Sequence, residues 1–173
     1  LLQAFYPEIK IENLSNSDDS ALMQMALAAN EANIDIHHAG TAMRFLTAYF
    51  SIQEGKEVVI TGSSRMKERP IKILIDALRT LGAEITYVEN DGFPPLKIVG
   101  KKLNKSEVAL DAGVSSQYIS ALLLIASKLD NGLELTLNGK ITSVPYIKMT
   151  LSLLNEIGVE TSFIENKIIV KPN

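Results

Sequence analysis

The stretch Ala39-Gly40-Thr41-Ala42-Met43-Arg44-Phe45-Leu46-Thr47-Ala48-Tyr49-Phe50 decides how the rest of the chain is read. A tight Ala39-Gly40 turn feeds Thr41, a good N-cap, and Met43, Leu46, Thr47 and Phe50 then fall on one side of a helix. Glycine lets a ligand approach the backbone closely. The first turn of a helix offers unpaired N–H groups at the positive end of its dipole, which favours a carboxylate or phosphate. Arg44 lies one turn in. Taken alone, the stretch reads better as a capped core helix with a solvated arginine, but the chain builds the same device twice.

Upstream, Ile9 to Asn13 alternates and predicts a short strand. Asn16, Ser17, Asp18 and Asp19 supply caps and negative charge for a helix over 20–29, with Leu22, Met23, Met25, Ala26 and Ala29 on its buried face. A brief strand at 34–36 then delivers the chain to His37, His38 and the glycine turn. Downstream come a strand at 57–61 and a polar loop from Gly62 to Arg69. Pro70 is placed to occupy helix position N1 before a helix over 71–81 closed by Gly82. Strands at 85–88 and 96–99 complete the first half.

The second half repeats the first. A strand at 106–111, an Ala112-Gly113 turn, a helix capped by Ser115 or Ser116, a strand at 133–137, a helix opened by Pro145 and a hairpin around Glu165-Asn166 follow in order. Ala39-Gly40 aligns with Ala112-Gly113, Gly62 with Gly139 and Pro70 with Pro145, an internal repeat of about 73 to 77 residues. Amphipathic helices and short strands in this order predict an α+β fold of repeated βαβαββ units. Equivalent glycine turns in neighbouring units can gather helix N-termini around one anion, although duplicated turns also serve packing alone.

Composition bounds the function. The 173 residues suit one domain or two small ones, and 46% hydrophobic with 21% charged residues is the balance of a soluble globular protein. The longest apolar run, Ala121 to Ala126, falls far short of the roughly 20 residues of a membrane span. There is no signal peptide pattern. No cysteine is present, which removes disulfides, thiolate chemistry and Cys-based metal sites and agrees with a cytoplasmic location. A net charge of −3 without a basic run argues against nucleic acid. The chain opens at Leu1 without methionine and enters structure at once, so it is expected to be a piece of a longer protein.

Three clusters can carry chemistry. Ser115-Ser116-Gln117 at a helix start offers hydroxyls, N–H groups and an amide suited to a phosphate and neighbouring hydroxyls, or simple capping. Arg69, directly before a helix, can pair a carboxylate through its fork, or remain solvated. Ser143 and Tyr146 stand at the matching start in the second copy, where Tyr146 also fits a packed aromatic with a wet tip. His37 and His38, on opposite faces of a strand, make no metal site. No carboxylate pair suggests a general acid and base.

Together, AGTAMRFL at 39–46, RMKERPI at 65–71, DGFPPL at 91–96, SSQYISAL at 115–122 and SVPYI at 143–147 resemble the 5-enolpyruvylshikimate-3-phosphate synthases in order and spacing. The resemblance covers nearly the whole chain. It implies an enolpyruvyl transferase-like domain with βαβαββ units in pseudo-threefold arrangement, and residues 1–173 as most of the shikimate 3-phosphate-binding domain of a two-domain enzyme. The N-terminal segment and the second domain, with the general base, are expected outside the chain.

The implied reaction moves the enolpyruvyl group of phosphoenolpyruvate to the 5-hydroxyl of shikimate 3-phosphate, releasing phosphate through a tetrahedral intermediate. It serves chorismate and aromatic amino acid biosynthesis in the cytoplasm and needs no metal or organic cofactor. By matching position, Ser115, Ser116, Gln117, Ser143 and Tyr146 would hold shikimate 3-phosphate, Gly40 and Arg69 would meet phosphoenolpyruvate, and Arg44 would support them. His37-His38 replaces the family's usual Gly-Asn, and Val144 replaces a frequent lysine. The alternatives are the related UDP-N-acetylglucosamine enolpyruvyl transferase, which generally carries a cysteine in the loop equivalent to 62–69, and a non-catalytic ligand-binding module of the same fold.

Overall fold

The computed structural model describes all residues from 1 to 173. Two helices precede the first sheet, α1 (Leu2–Phe5) and α2 (Asp18–Ala28). Two units then follow, each with the same order of elements. The first comprises β1 (Asn33–Asp35), α3 (Gly40–Ser51), β2 (Glu57–Thr61), α4 (Lys72–Leu81), β3 (Glu84–Tyr87) and β4 (Leu96–Val99). The second comprises β5 (Glu107–Asp111), α5 (Ser116–Ala126), β6 (Leu133–Asn138), α6 (Val144–Glu156), β7 (Thr161–Ile164) and β8 (Lys167–Val170).

Each unit makes a four-stranded mixed sheet, ordered β1-β2-β4-β3 and β5-β6-β8-β7. The first two strands run parallel because a helix returns the chain between them, and the closing hairpin adds the antiparallel pairs. This is the βαβαββ unit expected from the repeat. Residues of one parity face inward: Ile34, Val58, Ile60, Ile85, Leu96 and Ile98 in the first sheet, and Val108, Leu110, Leu135, Leu137, Ile168 and Val170 in the second. Each outer face carries a diagonal ion pair in an equivalent place, Lys97–Glu57 at 2.7 Å and Lys167–Glu134 at 2.5 Å.

Between the sheets, α3 and α5 pack on each other. Met43, Leu46, Thr47 and Phe50 are all buried, as the spacing predicts, but so are Ala42, Arg44, Ala48 and Tyr49. A helix enclosed on every side belongs at the centre of a core. On α4 the inward stripe is Leu74, Ile75, Leu78 and Leu81, and Gly82 ends the helix at φ 113°, in the left-handed region that side chains with a Cβ avoid. No helix is long and apolar enough to cross a membrane.

Several local expectations are corrected. Residues 9–13 form no strand, because no neighbour offers a ladder, and Asn13 turns the chain at φ 52°. Helix α2 lies at the surface with Ala26 alone buried, and Met25 is 48% exposed. Pro70 sits before the N-cap Ile71 and not at N1, because the Ile71 N–H is held by the Gly92 carbonyl at 2.9 Å. His37 and His38 occupy a turn after β1, with His37 at φ 48°, and not a strand.

Tyr87, on β3, is flanked by the Arg79 guanidinium 5.1 Å from its ring centre and buries a hydroxyl that finds no partner. Burial pushes this phenol up to about 12, against the pull of Arg79. An unpaired buried hydroxyl contributes only its desolvation cost, so Tyr87→Phe is expected to leave thermal stability unchanged or raise it by roughly 0.5–1 kcal/mol. Because the folded state holds the phenol proton more tightly, the contribution of Tyr87 to stability is constant below about pH 10 and falls as pH rises toward 12. Denaturant unfolding of both proteins between pH 8 and 12 checks this: the loss should be smaller in Tyr87→Phe, the remainder coming from groups such as Tyr49 that burial also pushes up.

Candidate functional site

Three helix starts and one loop supply the predicted site residues. Thr41 is not the cap of α3: the helix begins at Gly40, and Asp19 from the first turn of α2 accepts hydrogen bonds from the Thr41 N–H (3.1 Å) and the Ala42 N–H (3.3 Å). A carboxylate of the chain itself therefore occupies the donors that the sequence suggested for a ligand. The Thr41 hydroxyl is freed to accept from the Gln117 side-chain amide at 3.0 Å. That bond ties the start of α3 to the start of α5, one from each unit.

Gly40 is where the loop before α4 closes onto α3. A Cβ built on Gly40 would overlap the Arg69 guanidinium, with Arg69 Cζ at 2.8 Å. Only glycine gives the guanidinium this seat. Arg69 itself is exposed and its backbone is extended, as a residue before proline tends to be. Pro70 then turns its carbonyl inward, where it accepts from the Tyr118 hydroxyl at 2.8 Å.

Arg44 fastens these pieces. It is 5% exposed, donates Nη1–H to the Gly40 carbonyl at 2.8 Å and Nη2–H to the Pro70 carbonyl at 3.5 Å, and lies 5.9 Å from the centre of the Tyr118 ring. Its Nε has no partner. Burial lowers its affinity for the proton, and the neighbouring positive charge of Arg69 adds to this. The site therefore stores unbalanced positive charge close to Gly40.

Ser115 caps α5, its hydroxyl accepting from the Gln117 N–H at 3.3 Å, and Ser116 is the first helical residue. Ser143 precedes α6 but makes no capping hydrogen bond, and Tyr146 is 58% exposed. Neither makes a side-chain hydrogen bond to the other predicted residues. Helix α6 is joined to α5 by the Ser120–Thr150 hydroxyl pair at 3.1 Å, and Thr150 donates to the Tyr146 carbonyl at 3.1 Å. Gly40, Arg44, Arg69 and Gln117 are thus drawn into one cluster with Ser115 and Ser116 on the same helix start, while Ser143 and Tyr146 stand at the next helix start.

Sequence reasoning did not find Asp19, Tyr118 or the contact of His38 Nε2 with Asp18 Oδ2 at 2.9 Å. Asp18 and Asp19 carried a visible signal as adjacent acids at a helix start, but their reach to another helix is set by tertiary packing. Tyr118 reads as one more core aromatic.

Residues 4–173 match the family described as EPSP synthase (3-phosphoshikimate 1-carboxyvinyltransferase). The chain belongs to the EPSP synthase family. A 3-phosphoshikimate 1-carboxyvinyltransferase of Bacteroides fragilis (strain YCH46) is 53% identical over 163 residues, covering 94% of this chain and 40% of that protein. One from Haemophilus influenzae (strain Rd) is 41% identical over 153 residues, covering 83% of this chain and 35% of its own length. The chain thus spans well under half the length of these relatives. The solved EPSP synthase from Acinetobacter baumannii superposes with a TM-score of 0.73 at 24% identity, covering 99% of this chain and 38% of that one, which bears on the fold. Membership of the EPSP synthase family does not favour the UDP-N-acetylglucosamine alternative.

The Arg44 bridge predicts its own test. Arg44→Ala removes two charge-assisted hydrogen bonds and opens a cavity, and should cost about 2–4 kcal/mol of unfolding free energy. Chemical denaturation reads this directly. Unchanged stability would show that Arg44 does not hold the loop at Pro70 to the start of α3.

Proposed function

We propose that this chain forms most of one domain of a two-domain EPSP synthase, and that the whole protein transfers the enolpyruvyl group of phosphoenolpyruvate to the 5-hydroxyl of shikimate 3-phosphate. Family membership across residues 4–173 carries the reading, and its physical support is the meeting of Gly40, Arg69 and Gln117 at the seam between the two units. In this reading Ser115, Ser116, Gln117, Ser143 and Tyr146 hold shikimate 3-phosphate. Gly40 and Arg69 receive phosphoenolpyruvate, and Arg44 positions them.

The chemistry asks for charge and placement. Forming the new C–O bond brings two multiply anionic substrates together, so preorganised donors offset their repulsion. Hydroxyls and N–H groups at the start of α5 suit a phosphate ester. The Arg69 fork suits a carboxylate or the phosphate that leaves. No residue of this chain is assigned as general base, and the second domain is proposed to supply it.

The test is a backbone-amide NMR titration of the 173-residue chain with shikimate 3-phosphate, with UDP-N-acetylglucosamine as control. Saturable shifts at Ser115 to Gln117, Ser143 and Tyr146 with the first ligand alone are expected. Saturation by UDP-N-acetylglucosamine instead would overturn the substrate assignment. The chain alone should release no phosphate from the two substrates together, since the second domain is required. Gly40→Ala should keep the fold, because the exposed Arg69 guanidinium can swing aside, yet weaken phosphoenolpyruvate binding by roughly tenfold or more. Calorimetry on the full-length enzyme checks the binding and a thermal melt checks the fold.

A further inference from the structure

Beside Arg69 lies a cavity of about 540 Å³ lined by His38, Arg65, Met66 and Arg69. Neither arginine forms an ion pair with a carboxylate of the chain. The third polar lining residue, His38, is tethered through Nε2 to Asp18 on α2 at 2.9 Å. We propose that His38, held by Asp18, is a pH-dependent third cation of this cavity and contacts the anionic group of the ligand when protonated. The inference rests on the reading of Arg69 as an anion-binding residue and adds His38 and Arg65 to it.

The charges around His38 set the direction. On α2, Asp18 faces the imidazole, while Asp19 is engaged by the Thr41 and Ala42 N–H groups. At the end of β1, Asp35 keeps to His37, accepting its N–H at 2.8 Å. On the loop before α4, Lys67 pairs with Glu89 at 2.7 Å, and exposed Glu68 adjoins Arg69. With a neutral imidazole, the Asp18 carboxylate opposes an incoming anion. Protonation cancels that charge and leaves both arginines to the ligand. Imidazole changes charge between about pH 5 and 8, so anion affinity should fall as pH rises through this range. By linkage, the bound anion must raise the titration midpoint of His38 by the same factor.

Sulfate is the probe, because it stays a dianion throughout that range whereas phosphate does not. NMR titration of the two imidazoles of the 173-residue chain, with sodium sulfate against chloride at equal ionic strength, should show the His38 midpoint rise by several tenths of a unit and that of His37 much less. Sulfate should bind about threefold to fivefold more tightly at acid than at alkaline pH, the scale of one partly solvated charge pair. His38→Gln should abolish this dependence while retaining the alkaline affinity. Saturable amide shifts around Arg69 with an unmoved His38, or equal movement of His37 and His38, would overturn the role of His38 and leave the Arg69 reading standing. Absence of any saturable shift would overturn both.

Discussion

A buried guanidinium is the constraint on which the site depends. Arg44 projects from the first turns of α3 into a space where its donors meet the carbonyls of Gly40 and Pro70, so the start of its own helix and the loop before α4 share one charged partner. Burying such a group is costly unless its hydrogen bonds are made. The cost is offset by placing carbonyl oxygens, which carry no proton to compete, and the face of Tyr118 around it. Arg69 then cannot pack closer without meeting a like charge, and it stays at the surface above Gly40.

The two units meet through side chains that serve this arrangement. Tyr118 sends its hydroxyl to Pro70 and Gln117 its amide to Thr41, so α5 of the second unit holds both the loop and the helix start of the first. The site is a property of the seam and belongs to neither unit alone. Asp19 accepts from the first free N–H groups of α3 and so neutralises the positive end of that helix.

Much of the fold was legible because periodicity and punctuation agree. The burial pattern of α4 follows its i, i+3, i+4 stripe, and Gly82 ends it where a left-handed residue is needed. The serine cap of α5 follows the same local logic. What failed was non-local. Residues 9–13 have strand-like alternation but no strand beside them, and Thr41 lost its capping role to a carboxylate from another helix. The hydrophobic residues of α2 predicted a buried face that no neighbour covers fully. Chain order alone cannot tell which surface will find a partner.

The diagonal Lys–Glu pairs on the two outer sheet faces stand at matching places although the sequence offset drifts, because the loop joining β3 to β4 is longer than the turn joining β7 to β8. Exposed pairs of this kind add little to stability. Their weight lies in what they forbid. A slip of one residue between β2 and β4, or between β6 and β8, would carry either the lysine or the glutamate of the pair onto the core side and turn apolar residues of the slipped strand to water. The charges thus act as a proofreading mark against misaligned pairing, and each unit carries its own copy.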